Sequence, residues 1–153
     1  MGERKEEGMA RPRRAPGALF CDTNVLIRLL ADDPPGHARA VQHALEAAGA
    51  GRFVVVVTDV VLAEIAYVLT GAYRRSREEA ASLMRGILEL PGVEVADPSL
   101  TRETLHIWTA GTMDFADAYL AALGRTTKGT GVLSFDRDLD KLEGVQRLDP
   151  RVI

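Results

Sequence analysis

Residues 53–69 read FVVVVTDVVLAEIAYVL, and this stretch decides the fold class. Its first five residues, Phe53 to Val57, form an uninterrupted apolar run, which is typical of a β-strand buried on both faces. Thr58 or Asp59 then provides a helix N-cap, and apolar residues follow it at helical spacing. A doubly buried strand that leads directly into a helix is the repeating unit of a parallel sheet covered by helices.

The same alternation of strands and helices continues on both sides of this stretch. We predict strands at 18–21, 53–57, 93–96, 132–134 and 145–148, and helices at 25–30, 37–48, 59–73, 77–90, 99–108, 114–127 and 136–142, with a break at Asp33-Pro34-Pro35-Gly36. This order predicts an α/β fold, a parallel sheet with helices on both faces. Ligands of such sheets bind beyond the carboxyl ends of the strands, so chemistry is expected in the residues that follow strands.

The composition bounds the class of protein. The chain has 153 residues, 46% of them hydrophobic and 27% charged, which suits one globular domain. A single cysteine, Cys21, excludes a disulfide framework and a Cys-rich zinc site. His37, His43 and His106 show no zinc-protease spacing. No apolar run approaches the ~20 residues of a membrane span, so no membrane partner is expected.

The first seventeen residues, MGERKEEGMARPRRAPG, differ from the rest of the chain. They contain no hydrophobic segment and therefore do not read as a secretory signal, which favours a cytoplasmic location. Their composition predicts a disordered extension, with Met9 as an alternative start, followed by a single domain at 18–153. The formal net charge of −3 neither favours nor excludes a nucleic-acid ligand.

Several carboxylates occupy positions where function is expected. Asp22 follows the first predicted strand and Asp136 follows the fourth, so both belong to the carboxyl edge of the sheet. Glu64 is the only charged residue between Val60 and Leu69, at the edge of an apolar stripe formed by Val61, Ile65, Val68 and Leu69.

A further pair of carboxylates, Asp114 and Asp117, lies three residues apart near the start of one predicted helix. They share a helix face with Ala121, whose small side chain would leave space for a ligand. Each acid also has a structural interpretation: Asp22, Asp114 and Asp136 could be N-caps, the helix dipole could favour Asp117, and Glu64 could extend to water.

Taken together, these acids predict a metal centre. Converging carboxylates repel one another and stay ionised only beside a cation, and oxygen ligands without His or Cys suit Mg²⁺ or Mn²⁺. Such ions typically act on phosphates, which indicates phosphodiester or phosphoryl chemistry. The glycine-containing stretch 124–131 lacks the P-loop pattern, so nucleotide hydrolysis is disfavoured.

Four segments, DTNVLIRLL at 22–30, AEIAYVL at 63–69, DFADAYLAA at 114–122 and SFDRDL at 134–139, carry a family resemblance. In this order and spacing the chain resembles the PIN-domain nucleases and, within them, the VapC toxins of VapBC toxin–antitoxin pairs. The resemblance extends from Ala18 to the C-terminus. It implies a three-layer α/β/α fold with a central parallel sheet, a homodimer, and a VapB-like antitoxin that inserts a segment into the active-site groove.

The resemblance also assigns roles to residues. Its four catalytic, metal-binding acids fall on Asp22, Glu64, Asp117 and Asp136, with Asp114 as an accessory acid and with Asn24 and Ser134 as supporting hydrogen-bonding groups. Ser134 stands where the family often has Thr, which keeps the hydroxyl group.

The function expected on these grounds is that of a Mg²⁺- or Mn²⁺-dependent endoribonuclease, the toxin of a type II toxin–antitoxin pair. Its substrate would be single-stranded or loop RNA, with Arg74, Arg75 and Arg77 as candidate phosphate contacts. Two alternatives remain: a PIN-like module that binds RNA or a partner without cutting, and a housekeeping RNA-processing nuclease. Aspartyl-phosphate enzymes fit less well, because their Asp-x-Asp-x-Thr pattern is not met at Asp22-Thr-Asn.

Overall fold

The computed structural model describes residues 17–31 and 35–153. Within these residues the strands are β1 (Ala18–Phe20), β2 (Val54–Val57), β3 (Val93–Val95), β4 (Val132–Leu133) and β5 (Arg147–Leu148). The helices are α1 (Thr23–Ala31), α2 (Pro35–Gly49), α3 (Asp59–Gly71), α4 (Arg77–Leu88), α5 (Pro98–Ala110) and α6 (Phe115–Thr126). Short 3-10 helices span Arg137–Lys141 and Pro150–Val152.

The predicted elements are all present, and their ends differ from the prediction by at most two residues. The one difference in type is the predicted helix at 136–142, which is a 3-10 helix. Residues 1–16 of the predicted extension, and Asp33 and Pro34 of the predicted break, lie outside the described residues.

The parallel arrangement predicted from the sequence is confirmed. β2 lies between β1 and β3, with Leu19 beside Val55 and Val55 beside Val93, and both pairings are parallel. β4 and β5 form a second parallel pair, with Val132 beside Arg147. The architecture is the expected three-layer α/β/α fold. An active site is therefore expected beyond the carboxyl ends of β1 and β4.

The hydrophobic core joins the helices to the sheet. Its largest fully buried side chains come from α1, α3, α4, α5 and β2: Leu26, Ile65, Leu69, Met84, Leu105 and Val57. On α3 the buried stripe consists of Leu62, Ile65, Ala66 and Leu69. The predicted stripe was partly wrong, because Val61 and Val68 are only half-buried; α3 also packs against α4 and α6, which turns Leu62 and Ala66 inward.

The first turns of the helices follow the local rules of the sequence. The Thr58 side chain accepts a hydrogen bond from the Val61 N–H at the start of α3. Ser76 and Glu79 form a reciprocal capping box at the start of α4. Both caps set where the polypeptide turns from loop to helix, and α3 consequently starts directly at the carboxyl end of β2. Among the described residues, no helix combines the length and hydrophobicity needed to span a bilayer.

Candidate active site

Three of the predicted acids meet where the N-terminus of α6 adjoins the end of β4. Asp114 occupies the N-cap position of α6, yet its side chain makes no capping hydrogen bond. Asp117 lies in the first turn and is half-buried. Burial raises the pKa of Asp117, and the negative charges of Asp114 and Asp136 raise it further. The structure therefore places these carboxylates within electrostatic range of Asp117, in a setting that disfavours its ionised form unless a cation is near.

The turn after β4 holds Asp136 through a chain of hydrogen bonds. The Asp136 N–H donates to the Ser134 hydroxyl at 3.0 Å, and the Asp136 carboxylate accepts from the Asp138 N–H at 2.9 Å. Arg147, on β5, donates to the Ser134 carbonyl at 2.8 Å and to both carboxylate oxygens of Asp140 at 2.9 Å. Ser134 is thus bonded to the backbone of Asp136, and the Asp136 side chain serves as a cap.

The other two acids both neighbour Thr23, the first residue of α1. Asp22 is exposed and directly follows β1, whose end is joined to β2 by the Cys21 N–H donating to the Val56 carbonyl at 2.9 Å. The buried Thr23 hydroxyl donates to Glu64 Oε2 at 2.5 Å. This short bond to a carboxylate holds Glu64, which is otherwise exposed, beside the residue that follows Asp22.

The donor chemistry of these acids fits a hard divalent cation, because every candidate ligand is a carboxylate oxygen. They lie in two groups, Asp22 with Glu64 and Asp114 with Asp117 and Asp136. Within residues 17–31 and 35–153, no three or more His, Cys, Asp or Glu side chains are gathered closely enough to hold a metal ion by themselves. Mg²⁺ keeps several water molecules when it binds to proteins, so donor type rather than a closed cage supports a magnesium site.

Two expectations for the neighbourhood of α6 were wrong. Ala121 was expected to leave space for a ligand, but it is fully buried, because the small residues of α6 let it pack closely against α5. Arg77 was expected to contact phosphates, but its guanidinium faces the loop between α5 and α6. It donates to the carbonyls of Trp108, Gly111, Thr112 and Met113, at 2.5–3.2 Å.

The remaining predicted polar residues lie on the surface. Asn24 is exposed in the first turn of α1. Arg74 and Arg75 are exposed in the connection between α3 and α4, where Arg74 adopts a positive φ of 52°. These three side chains are accessible to a ligand.

Sequence reasoning missed Thr23 and Arg147. Thr23 is adjacent to Asp22, but its partner Glu64 is 41 residues away, and no local pattern joins them. Arg147 lies on a short strand without a distinctive motif around it. The first contact is revealed only by the packing of α1 beside α3, and the second only by the pairing of β4 with β5.

Comparisons with known proteins agree with the resemblance at the level of the family. The family model of the PIN domain matches residues 19–145. A solved structure, VapBC2 from Rickettsia felis bound to a DNA fragment from their promoter, aligns with a TM-score of 0.36 and 11% identity, covering 86% of this chain and 97% of that chain. A likeness this weak carries no information about function. Among curated protein sequences, none matches the chain significantly.

Proposed function

Because the chain belongs to the PIN-domain family, whose members are generally nucleases, we propose that it is a metal-dependent endoribonuclease that hydrolyses RNA phosphodiester bonds. The observation that carries the proposal is the electrostatic coupling of Asp117 to Asp114 and Asp136 at the carboxyl edge of β4. Negative charges that raise the pKa of a neighbouring carboxyl group favour a divalent cation beside it.

In the proposed mechanism Asp22, Asp117 and Asp136 would hold Mg²⁺ or Mn²⁺, directly or through water molecules, with Asp114 as an accessory acid. When bound, the metal ion makes water a stronger acid and offsets the negative charge of the reacting phosphate. Glu64 uses Oε2 to accept the Thr23 hydrogen bond, which leaves Oε1 to accept one from the attacking water and orient it. The water oxygen bonds to phosphorus and the water gives up a proton. One phosphoester bond breaks, its electron pair leaves with the ribose oxygen, and that oxygen takes up a proton from solvent, so the step balances.

The finer biological role that we propose is the toxin of a type II toxin–antitoxin pair, acting on single-stranded or loop RNA in the cytoplasm. Support comes from the order and spacing of the four segments around Asp22, Glu64, Asp117 and Asp136, which resemble VapC toxins. Asp22 and Asp136 are exposed beyond the strand ends, where an unpaired RNA backbone can approach them. A VapB-like antitoxin is the expected inhibitor of this site.

The test is cleavage of a mixed pool of structured RNAs by the purified full chain, shown by mass spectrometry to be free of antitoxin. We expect cleavage with Mg²⁺ or Mn²⁺, none with EDTA, and recovery when excess metal is added back. Cleavage that persists in EDTA would contradict the proposed chemistry. Metal binding without cleavage of any RNA in the pool would favour a PIN-like binding module instead.

We also propose that the chain forms a homodimer through the face shared by α3 and α6. Three exposed apolar side chains stand on this face: Val60 and Tyr67 on α3, exposed to 77% and 78%, and Leu120 on α6, exposed to 47%. Between the helices lies an almost wholly apolar groove of about 490 Å³. The one acid lining it, Asp59, is already bonded to the Tyr119 hydroxyl at 2.9 Å.

A second copy of the chain suits this face. A two-fold interface brings the same patch of both subunits together, and a largely apolar patch can meet itself. Its two carboxylates each accept a hydrogen bond within the subunit, Asp59 from Tyr119 and Glu64 from Thr23. Exposed apolar patches of this kind mark interaction sites in soluble proteins.

Replacing Val60 with Lys should therefore weaken the dimer at least ~100-fold, because two-fold symmetry places two unpaired charges in one interface. Sedimentation equilibrium of wild type and variant gives both dissociation constants. Val152→Lys is the matched control, since Val152 is 72% exposed and lies outside the α3–α6 face. A wild-type chain that stays monomeric at high concentration, or a Val60→Lys dimer of unchanged affinity, would refute the assignment.

A further inference from the structure

An aromatic ring stands in solvent beside the proposed metal-binding acids. Phe135 immediately precedes Asp136, and 65% of its surface is exposed. Consecutive Cα atoms are only ~3.8 Å apart, so the ring and the Asp136 carboxylate extend from neighbouring points of one exposed turn. Neither the hydrophobic core nor the proposed chemistry uses Phe135.

The backbone on both sides of Phe135 is held in place. The Ser134 carbonyl accepts a hydrogen bond from Arg147 at 2.8 Å, and the Asp136 N–H donates to the Ser134 hydroxyl at 3.0 Å. Arg147 is in turn bonded to Asp140 through two nitrogen atoms. The ring therefore projects from a turn whose geometry the neighbouring residues determine.

A second planar group lies against the ring. The guanidinium carbon of Arg151 is 5.8 Å from the centroid of Phe135, within the range of a cation–π contact. Asp149 anchors the guanidinium, accepting from Nε at 2.9 Å and from Nη2 at 2.5 Å. The hydrogen bonds from Arg151, with help from Arg147, hold the pKa of Asp149 well below its usual range, so this anchor stays ionised at neutral pH.

We propose that Phe135 and Arg151 form a stacking site for a nucleobase of single-stranded RNA, next to the phosphate that a cation at Asp136 would hold. This inference rests on the proposed function and names a contact that positions its substrate. Bases stack on aromatic rings and on guanidinium planes, and both are present here in one pair. The carboxylate of Asp149 offsets the charge of Arg151, which favours a flat base over a second phosphate. Because every base has a π-face, the site tolerates different sequences.

The first test compares cleavage of a mixed-sequence oligoribonucleotide by wild type, Phe135→Ala, Phe135→Leu and Phe135→Trp. Loss of one stacked base should raise KM about tenfold or more in the Ala and Leu variants, with little change in kcat. The Trp variant should restore KM, because it keeps an aromatic surface. Leu is the matched apolar control that separates stacking from simple hydrophobic contact.

The second test replaces each nucleotide of the same RNA, one at a time, with an abasic residue. At one position next to the cleaved bond, the abasic residue should raise the KM of the wild type about as much as the Phe135→Ala substitution does. The same abasic residue should raise the KM of the Phe135→Ala variant little further. Equal abasic penalties in both proteins, or an unchanged KM in the Ala and Leu variants of an active enzyme, would overturn the stacking site and leave the nuclease proposal intact.

Binding of the fluorescently labelled oligoribonucleotide, measured by anisotropy in EDTA, separates the two proposals. If no metal supports cleavage but RNA binding falls about tenfold in Phe135→Ala and recovers in Phe135→Trp, the stacking site stands and the proposed nuclease does not. Binding that is equally strong, or equally absent, in wild type and Phe135→Ala would overturn the stacking site.

Discussion

The Asp117→Asn variant should lose RNA cleavage, with kcat/KM reduced about 1,000-fold or more. A loss of this size is typical when an essential catalytic residue is replaced. The substitution keeps the size of the side chain and removes only its negative charge. Asp117 is the acid that senses both Asp114 and Asp136, so its charge contributes most directly to the attraction for a cation. Initial rates on one RNA substrate, over a range of Mg²⁺ concentrations, measure the effect.

The same variant should fold at least as well as the wild type. In the absence of metal, the ionised form of Asp117 is opposed by its burial and by the two neighbouring charges, and Asn removes both penalties. The melting temperature in EDTA should therefore be unchanged or higher, and the increase that Mg²⁺ gives the wild type should shrink. Glu143→Gln is the control, since it loses the same charge at an exposed residue outside the site. Full activity in Asp117→Asn would show that the site is elsewhere.

Local patterns of the sequence were sufficient to predict the elements of the fold. The apolar run at Val54–Val57 forms the central strand of three, and a helix capped by Ser76 starts at Arg77, where the sequence predicts one. The face that a helix buries was harder to predict. Leu62 and Ala66 are buried instead of Val61 and Val68, because the elements packed against α3 determine which of its faces is buried. Hydrophobic periodicity alone does not identify those elements.

The sequence likewise predicts some features of the candidate site and not others. The positions of Asp22 and Asp136 beyond strand ends were predictable, because the parallel topology follows from the alternation of strands and helices. The bonds that orient the acids, from Thr23 to Glu64 and from Arg147 to Ser134, join residues distant in sequence, and only the packed structure contains them. Arg77 shows this limit most clearly. A basic cluster in the sequence is as consistent with an exposed side chain that contacts phosphates as with one that bonds to the protein's own backbone, as Arg77 does.

Arg77 should be the residue whose removal costs the most stability among the charged side chains described above. Its guanidinium donates to four carbonyls, those of Trp108 and residues 111–113, which end α5 and lead to Asp114. It also lies 5.8 Å from the centroid of the Trp108 ring. Arg77→Ala leaves two part-buried and two exposed carbonyls without this donor, and we expect the free energy of unfolding to fall by roughly 3–5 kcal/mol. Urea unfolding at neutral pH measures this change.

Two further variants separate the hydrogen bonds from the charge. Arg77→Lys keeps the charge, but an ammonium group cannot reproduce the planar fork, so its stability should lie between those of wild type and Arg77→Ala. Arg75→Ala removes an exposed arginine from the same cluster and should change stability by less than ~0.5 kcal/mol. Because the clamped loop ends at Asp114, the Lys variant should also bind Mg²⁺ more weakly at temperatures where it remains folded. Equal stability of Arg77→Ala and Arg75→Ala would mean that the guanidinium does not hold the loop, and the α6 acids would then owe their position to helix packing alone.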